Sequence, residues 1–213
     1  MIRLISREEV FIKSSLVDHY ISQLQQSKYK QQGRNLDVGF DIGETDIPGE
    51  DPYDHLEPFH ESRETLNDFA VISYREKNRM DYLTQRSMGF IRFFELMAVK
   101  RLYLMDGLKY DLVTFPFSYR EKREAFKNIV NQAYSEALEL DIKDLSTILP
   151  LFHYSKRHST PIIWLFPGSS EVPFAAFLCD DANFHTSFLS EDREKLISAA
   201  SRAGLIMGGI ELC

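Results

Sequence analysis

The segment from Asp37 to Glu61 carries nine carboxylates within 25 residues and contains no lysine or arginine. Like charges at this density repel one another, and only hydration, a cation or a basic partner relieves the repulsion. In the rest of the chain, 23 acidic residues face 25 basic ones. The net charge of −7 is thus a local property of this one acidic segment.

The remaining composition is typical of a globular protein. Hydrophobic residues make up 44% of the 213 residues, and 16 Phe and 10 Tyr supply the large side chains that dominate core packing. No linker rich in Ser or Gly divides the chain, so we expect a single domain over residues 1–213. The acidic balance argues against nucleic acid or an anionic membrane as the main partner.

Charge placement also predicts a cytoplasmic protein without a membrane span. Residues 1–15 contain five charged side chains and lack the apolar core of a signal peptide. The most apolar stretch, Met88 to Met105, contains four charged residues, which disfavours a transmembrane helix. The two cysteines, Cys179 and Cys213, give neither a disulfide framework nor metal-binding spacing.

Several helix starts are marked by a serine followed three residues later by glutamate, a pair that satisfies backbone N–H groups at a helix N-terminus. This pattern occurs at Ser6/Glu9, Ser73/Glu76 and Ser118/Glu121, and Ser190 precedes two acidic residues. Apolar periodicity then predicts helices over 7–32, from Phe90 to Met105, and over 119–140, 143–152 and 190–203. The predicted apolar stripe of the first helix consists of Phe11, Ile12, Leu16, Tyr20 and Leu24.

Short apolar runs between turn residues predict the strands. They are Leu36–Ile42, Phe69–Ile72, Leu112–Phe117, Pro161–Phe166, Val172–Cys179 and an edge strand in Leu205–Leu212. The sequence therefore predicts an α+β fold. In it a small mixed or antiparallel sheet packs on a long, aromatic-rich central helix that extends from Phe90.

The acidic segment is the main candidate for a binding site. Its three prolines stiffen the backbone and lower the entropy lost when a loop becomes ordered on binding. Localised charge also speeds encounter with an oppositely charged protein. We therefore predict docking onto a basic protein, in an inhibitor, immunity-type or adaptor role. The predicted partner-binding residues are Asp41, Glu44, Asp46, Glu50, Asp51, Asp54 and Glu57.

A metal-dependent phosphoester hydrolase is the alternative function. Hard cations bind several oxygen ligands that converge from a loop, and histidines bind transition metals. The calcium-loop pattern fails from Asp37, because its sixth position is Ile42 and its twelfth is Pro48. A looser site remains open, with Asp37, Asp41, Glu44, His55 and His60 as the candidate ligands. A further alternative is a structural subunit whose aromatic residues cover an interface in a larger assembly.

The sequence predicts no catalytic residue and no cofactor. Cys179 and His185 are close in sequence, but the two acidic residues that follow Cys179 oppose thiolate formation. Arg92 and Glu95 lie three residues apart on the predicted central helix. We expect them to pair or to project from its least buried side, and they become functional candidates only if both are buried.

Overall fold

Eight strands form one antiparallel sheet within the described part of the chain. The computed structural model describes residues 1–32, 54, 56, 66–74, 82–109, 120–131, 134–152, 163–168, 172–179 and 183–212. The strands are β1 (Arg3–Ile5), β2 (Asp68–Tyr74), β3 (Arg101–Asp106), β4 (Ala137–Asp141), β5 (Ile163–Pro167), β6 (Phe174–Leu178), β7 (Phe184–Phe188) and β8 (Leu205–Gly208). Their order across the sheet is β1-β4-β3-β5-β6-β7-β2-β8.

Helices cover both faces of this sheet. They are α1 (Arg7–Lys13), α2 (Ser15–Gln32), α3 (Tyr82–Leu96), α4 (Arg120–Val130), α5 (Leu145–Phe152) and α6 (Arg193–Arg202). Alternate residues of a strand point to opposite faces. Accordingly, Leu102 and Leu104 of β3 belong to the larger core with α3, α4, α5 and α6, whereas Tyr103 and Met105 pack in a second core with α1 and α2.

The aromatic residues of α3 fill the larger core. Phe90, Phe93 and Phe94 are buried, and the rings of Phe90 and Phe184 meet edge to face at 4.1 Å between centroids. Phe94 stacks on Phe174 at 5.6 Å. The predicted α+β class, with a sheet packed on an aromatic-rich helix, is confirmed. The sheet is antiparallel and larger than the sequence indicated.

The predicted helix over 7–32 is interrupted at Ser14, whose φ of −136° and ψ of 100° are extended. The helix start at Ser6 is confirmed, because the Ser6 hydroxyl accepts the Glu9 backbone N–H at 3.1 Å. The predicted apolar stripe is wrong at Ile12, which is 80% exposed. The residues buried on α1 and α2 instead include Val10, Val17 and Ile21.

Two predicted helices extend too far. The central helix ends at Leu96, Ala98 adopts a left-handed φ of 55°, and the apolar run continues as strand β3 rather than as helix to Met105. Similarly, α4 ends at Val130, and the next residue, Asn131, has a φ of 62°. Leu138 therefore lies in β4. In both places a residue with left-handed backbone ends the helix before a strand that is buried on both faces.

Ser73 does not begin a helix. It lies in β2, where its buried hydroxyl donates to Asn183 Oδ1 at 2.7 Å. The predictions of β2, of neighbouring β5 and β6, of α5 and α6, and of an edge strand after Gly204 are confirmed. Strands β1, β3, β4 and β7 were not predicted. The predicted strands Leu36–Ile42 and Leu112–Phe117 and the helix start at Ser118 lie outside the described residues.

None of the helices in the described part of the chain combines the length and apolarity that crossing a bilayer requires. The single domain over residues 1–213 stays a prediction.

Candidate functional site

Within the acidic segment the structure describes Asp54 and Leu56, and both contact the folded body. Both residues are half-buried, and Leu56 packs against the core beneath α1 and α2. The other predicted partner-binding or metal-binding residues lie outside the described residues. They are Asp37, Asp41, Glu44, Asp46, Glu50, Asp51, His55, Glu57 and His60. The geometry at Asp54 therefore defines where this segment is attached.

Asp54 forms a buried ion pair with Arg7. Arg7 Nε donates to the two carboxylate oxygens of Asp54 at 2.9 and 3.0 Å, and Nη2 donates to Oδ2 at 2.6 Å. The Arg7 and Asp54 side chains are only 2% and 6% exposed. The acidic composition of the segment predicted that Asp54 lies on an exposed docking surface. In the structure its charge faces inward, because a basic residue 47 positions away is buried beside it.

Gln25 of α2 holds the same carboxylate. Its Nε2 donates to Asp54 Oδ2 at 2.7 Å and its Oε1 accepts the Asp54 backbone N–H at 3.0 Å. Gln25 precedes the end of α2, Gln32, by two helical turns, about 10 Å along the axis. Residues 33–53, with six of the nine carboxylates, therefore connect the end of α2 to a point beside the same helix.

Arg7 is positioned by the start of α1. The Ser6 cap makes Arg7 the first helical residue, one turn before buried Val10, so both side chains lie on the inner face of the helix. The Arg7 backbone N–H donates to Glu136 Oε2 at 2.7 Å. Its Nη1 donates to the backbone carbonyls of Asp106 at 2.7 Å and Leu108 at 3.3 Å. These backbone contacts fix the position of the guanidinium beside Asp54.

Asp106, at the end of β3, completes what we call the buried polar cluster of Arg7, Gln25, Asp54 and Asp106. Asp106 is 4% exposed, and its Oδ1 accepts the Leu108 N–H at 3.2 Å. Its Oδ2 is buried without a hydrogen-bond partner among the described residues. Burial raises the pKa of Asp106 to about 7, although the Leu108 hydrogen bond and the Arg7 guanidinium lower it.

A second set of polar contacts ties β1 to β4 next to this cluster. The buried Tyr134 hydroxyl accepts the Ile5 N–H at 3.1 Å and lies 2.7 Å from the Ala137 carbonyl oxygen. Burial raises the pKa of Tyr134 to about 12. Glu139 accepts hydrogen bonds from Arg3 at 2.6 Å and Arg101 at 3.0 Å. These contacts hold the chain immediately before Arg7 in a fixed position.

Within the described residues, no group of three or more His, Cys, Asp and Glu side chains is arranged to hold a metal ion. His185 lies in β7, where its ring packs against Phe69 and Phe177 at centroid distances of 5.6 and 4.5 Å. Burial lowers the pKa of His185. Arg92 and Glu95 are both exposed, so the condition under which they became functional candidates is not met.

Sequence reasoning missed Arg7, Gln25 and Asp106. One signal was present for Arg7, because helical spacing places it one turn from Val10 on the buried face. Comparison with protein-family models finds no match, and comparisons with the curated proteins and with the solved structures find no significantly similar chain.

Proposed function

We propose that this protein binds a basic protein partner through the acidic segment, as an inhibitor, immunity-type protein or adaptor does. The docking residues are Asp41, Glu44, Asp46, Glu50, Asp51 and Glu57. Asp54 is left out of this set, because its carboxylate is buried and bound by Arg7 and Gln25. Asp54 serves instead as the attachment point of the docking segment.

The attachment at Asp54 is the observation that carries this proposal. Residues 33–53 contain six carboxylates and no lysine or arginine, and both of their flanking residues are held at α2. A segment with fixed ends has less conformational freedom to lose when a partner binds. Six carboxylates with no lysine or arginine between them attract a cationic surface over a distance of about 10 Å at moderate ionic strength.

The test uses a partner purified together with the native protein from the cells that make it. Its association rate with the pure protein is measured between about 50 mM and 500 mM salt, a range over which electrostatic screening increases strongly. We expect the rate constant to fall by at least about tenfold over this range. A partner whose association ignores salt would contradict the proposal.

A charge-matched pair of variants locates the contact. One variant changes the six docking carboxylates to Asn or Gln and keeps Asp54. The control changes six exposed glutamates of the described surface to Gln: Glu8, Glu121, Glu124, Glu191, Glu194 and Glu211. Both variants lose six negative charges, so a long-range effect of net charge is the same in both. Only the first should lose salt-dependent binding, and equal losses in the two variants would refute docking through this segment.

A further inference from the structure

A groove with a volume of about 750 Å³ runs along the exposed face of α3, on a different part of the surface from Asp54. From α3 it is lined by Gln85, Met88, Arg92 and Glu95. These residues are three or four positions apart, so they share one face of the helix. Lys143 and Ser146, next to the start of α5, form one wall, and Gly204 after α6 lies on the other. The volume is within the usual range for small-molecule sites.

The groove holds two cationic groups that come from different elements. Arg92 of α3 and Lys143 beside α5 are both exposed, and neither charged side-chain group forms an ion pair or hydrogen bond in the part of the chain that the structure describes. Glu95, exposed in the same groove, is likewise without an ion pair there. The described residues that line the groove therefore carry a net charge of one positive unit, which complements a monoanion better than a dianion.

The floor of the groove is apolar. Ile91 and Ala203 are buried at its base, and Gly204, with a φ of 78°, adds no side chain. The Met88 side chain remains 53% exposed beside Arg92, one helical turn away. An exposed thioether next to unpaired cations suits a ligand with an apolar body and a charged end.

We propose that this groove binds a small amphipathic monoanion, namely an organic carboxylate with an aliphatic body. The carboxylate lies between Arg92 and Lys143, and the aliphatic body covers Ile91 and Met88. The Arg92 guanidinium presents a planar pair of donors that matches a carboxylate. Glu95 opposes this charge and limits affinity. None of the described residues that line the groove belongs to the acidic segment, and the two proposals are tested by different experiments, so the failure of either one can be observed separately.

Octanoate is the probe, and the six methionine methyl groups are the reporters. With carbon-13-labelled methionine methyls, we expect a saturable shift of the Met88 resonance, which is assigned with Met88→Leu. The double variant Arg92→Gln/Lys143→Gln should weaken binding about five- to twentyfold. The control Lys13→Gln/Lys127→Gln removes two exposed positive charges outside the groove and should change the affinity less than about twofold. The other methionine resonances report that each variant is folded.

Three further binding measurements separate the contribution of charge from that of apolar contact. Glu95→Gln should tighten octanoate binding about two- to fivefold, because it removes the opposing charge. Neutral 1-octanol and inorganic phosphate should each bind more weakly than octanoate by at least about fivefold. The proposal is overturned if Met88 shows no saturable shift, if the double variant binds like its control, or if octanol or phosphate equals octanoate.

Discussion

The titration of Asp106 provides the most direct test of how burial affects the charged groups of the buried polar cluster. Its carboxylate lies at the end of β3, where one oxygen accepts the Leu108 N–H and the other has no hydrogen-bond partner among the described residues. Burial opposes the charged form and raises its pKa from 3.8 to about 7. We predict that Asp106→Asn removes a pH dependence of stability that the wild-type protein shows between these two values.

The sign follows from proton uptake. Between pH 3.8 and about 7 the unfolded chain has an ionised Asp106 and the folded protein has a protonated one, so folding takes up a proton. The free energy of unfolding contributed by Asp106 therefore falls as pH rises through this window, and it is constant above it. At about 1.4 kcal/mol per pH unit, the full change is roughly 4 kcal/mol.

The variant has its own cost, but that cost is independent of pH. In the variant, the Asn amide N–H groups would occupy the position of Oδ2, which has no hydrogen-bond partner among the described residues. Burying these unsatisfied donors should lower the free energy of unfolding by about 1–3 kcal/mol. Asp106→Asn should thus be less stable than wild type near pH 4 and more stable above about pH 7. Other titrating groups are present in both proteins and cancel in the difference between their free energies of unfolding.

The assay is urea unfolding at unit intervals from about pH 4 to about pH 8, followed by circular dichroism. Asp68→Asn is the control. Arg193 hydrogen-bonds the Asp68 carboxylate and holds its pKa below its usual value. The stabilising effect of this carboxylate is therefore complete above its usual pKa and is lost as pH falls from that value through the lowered pKa. The difference between Asp68→Asn and wild type should thus be constant from about pH 5 to about pH 8. An Asp106→Asn difference equally constant would refute the argument.

The remaining predictions concern individual contacts and metal binding. Arg7→Met should lower the free energy of unfolding by about 3–5 kcal/mol, because Asp54 is left as an uncompensated buried charge. In urea unfolding, the double variant Arg7→Met/Asp54→Leu should recover part of this loss. If the losses of the two single variants simply add in the double variant, the pairing is contradicted. Tyr134→Phe should cost about 1–3 kcal/mol in thermal unfolding, whereas Tyr103→Phe, whose hydroxyl has no hydrogen bond among the described residues, should cost less. Gly204→Ala should cost about 1 kcal/mol through the left-handed φ of 78° alone, since none of the described residues lies within 4 Å of the added Cβ. Gly204→Asn should cost less, and equal losses in urea unfolding would contradict this reason. Millimolar magnesium, manganese, calcium or zinc should leave the melting temperature unchanged; an increase would favour the metal-dependent hydrolase instead.

Sequence patterns predicted the elements that have their own start and stop signals. Ser6 and Ser190 precede helices, Gly204 ends one, and β5 and β6 were found as neighbours. The errors lie where an apolar run is continuous. Leu102 to Met105 face two cores on opposite sides of the sheet, so this strand lacks the alternation that distinguishes it from a buried helix.

The buried polar cluster depends on contacts between distant parts of the chain. Arg7 and Asp54 are 47 residues apart, and Gln25 is 82 residues from Gly107, whose carbonyl accepts its Nε2 hydrogen bond at 3.0 Å. Helical spacing places Arg7 on a buried face but does not name the carboxylate that it meets. The acidic composition was visible in the sequence, whereas the inward direction of the Asp54 carboxylate was not.

The position of β2 within the sheet affects how the nascent chain is handled during synthesis. Both neighbours of β2, namely β7 and β8, are more than 100 residues further along the chain. A ribosome adds roughly 5–20 residues per second, so the buried apolar residues of β2 wait for about 5–20 s before either neighbour is made. During that interval both hydrogen-bonding edges of an apolar strand are open to other chains. In a polypeptide truncated before residue 184, both edges of β2 would stay open permanently.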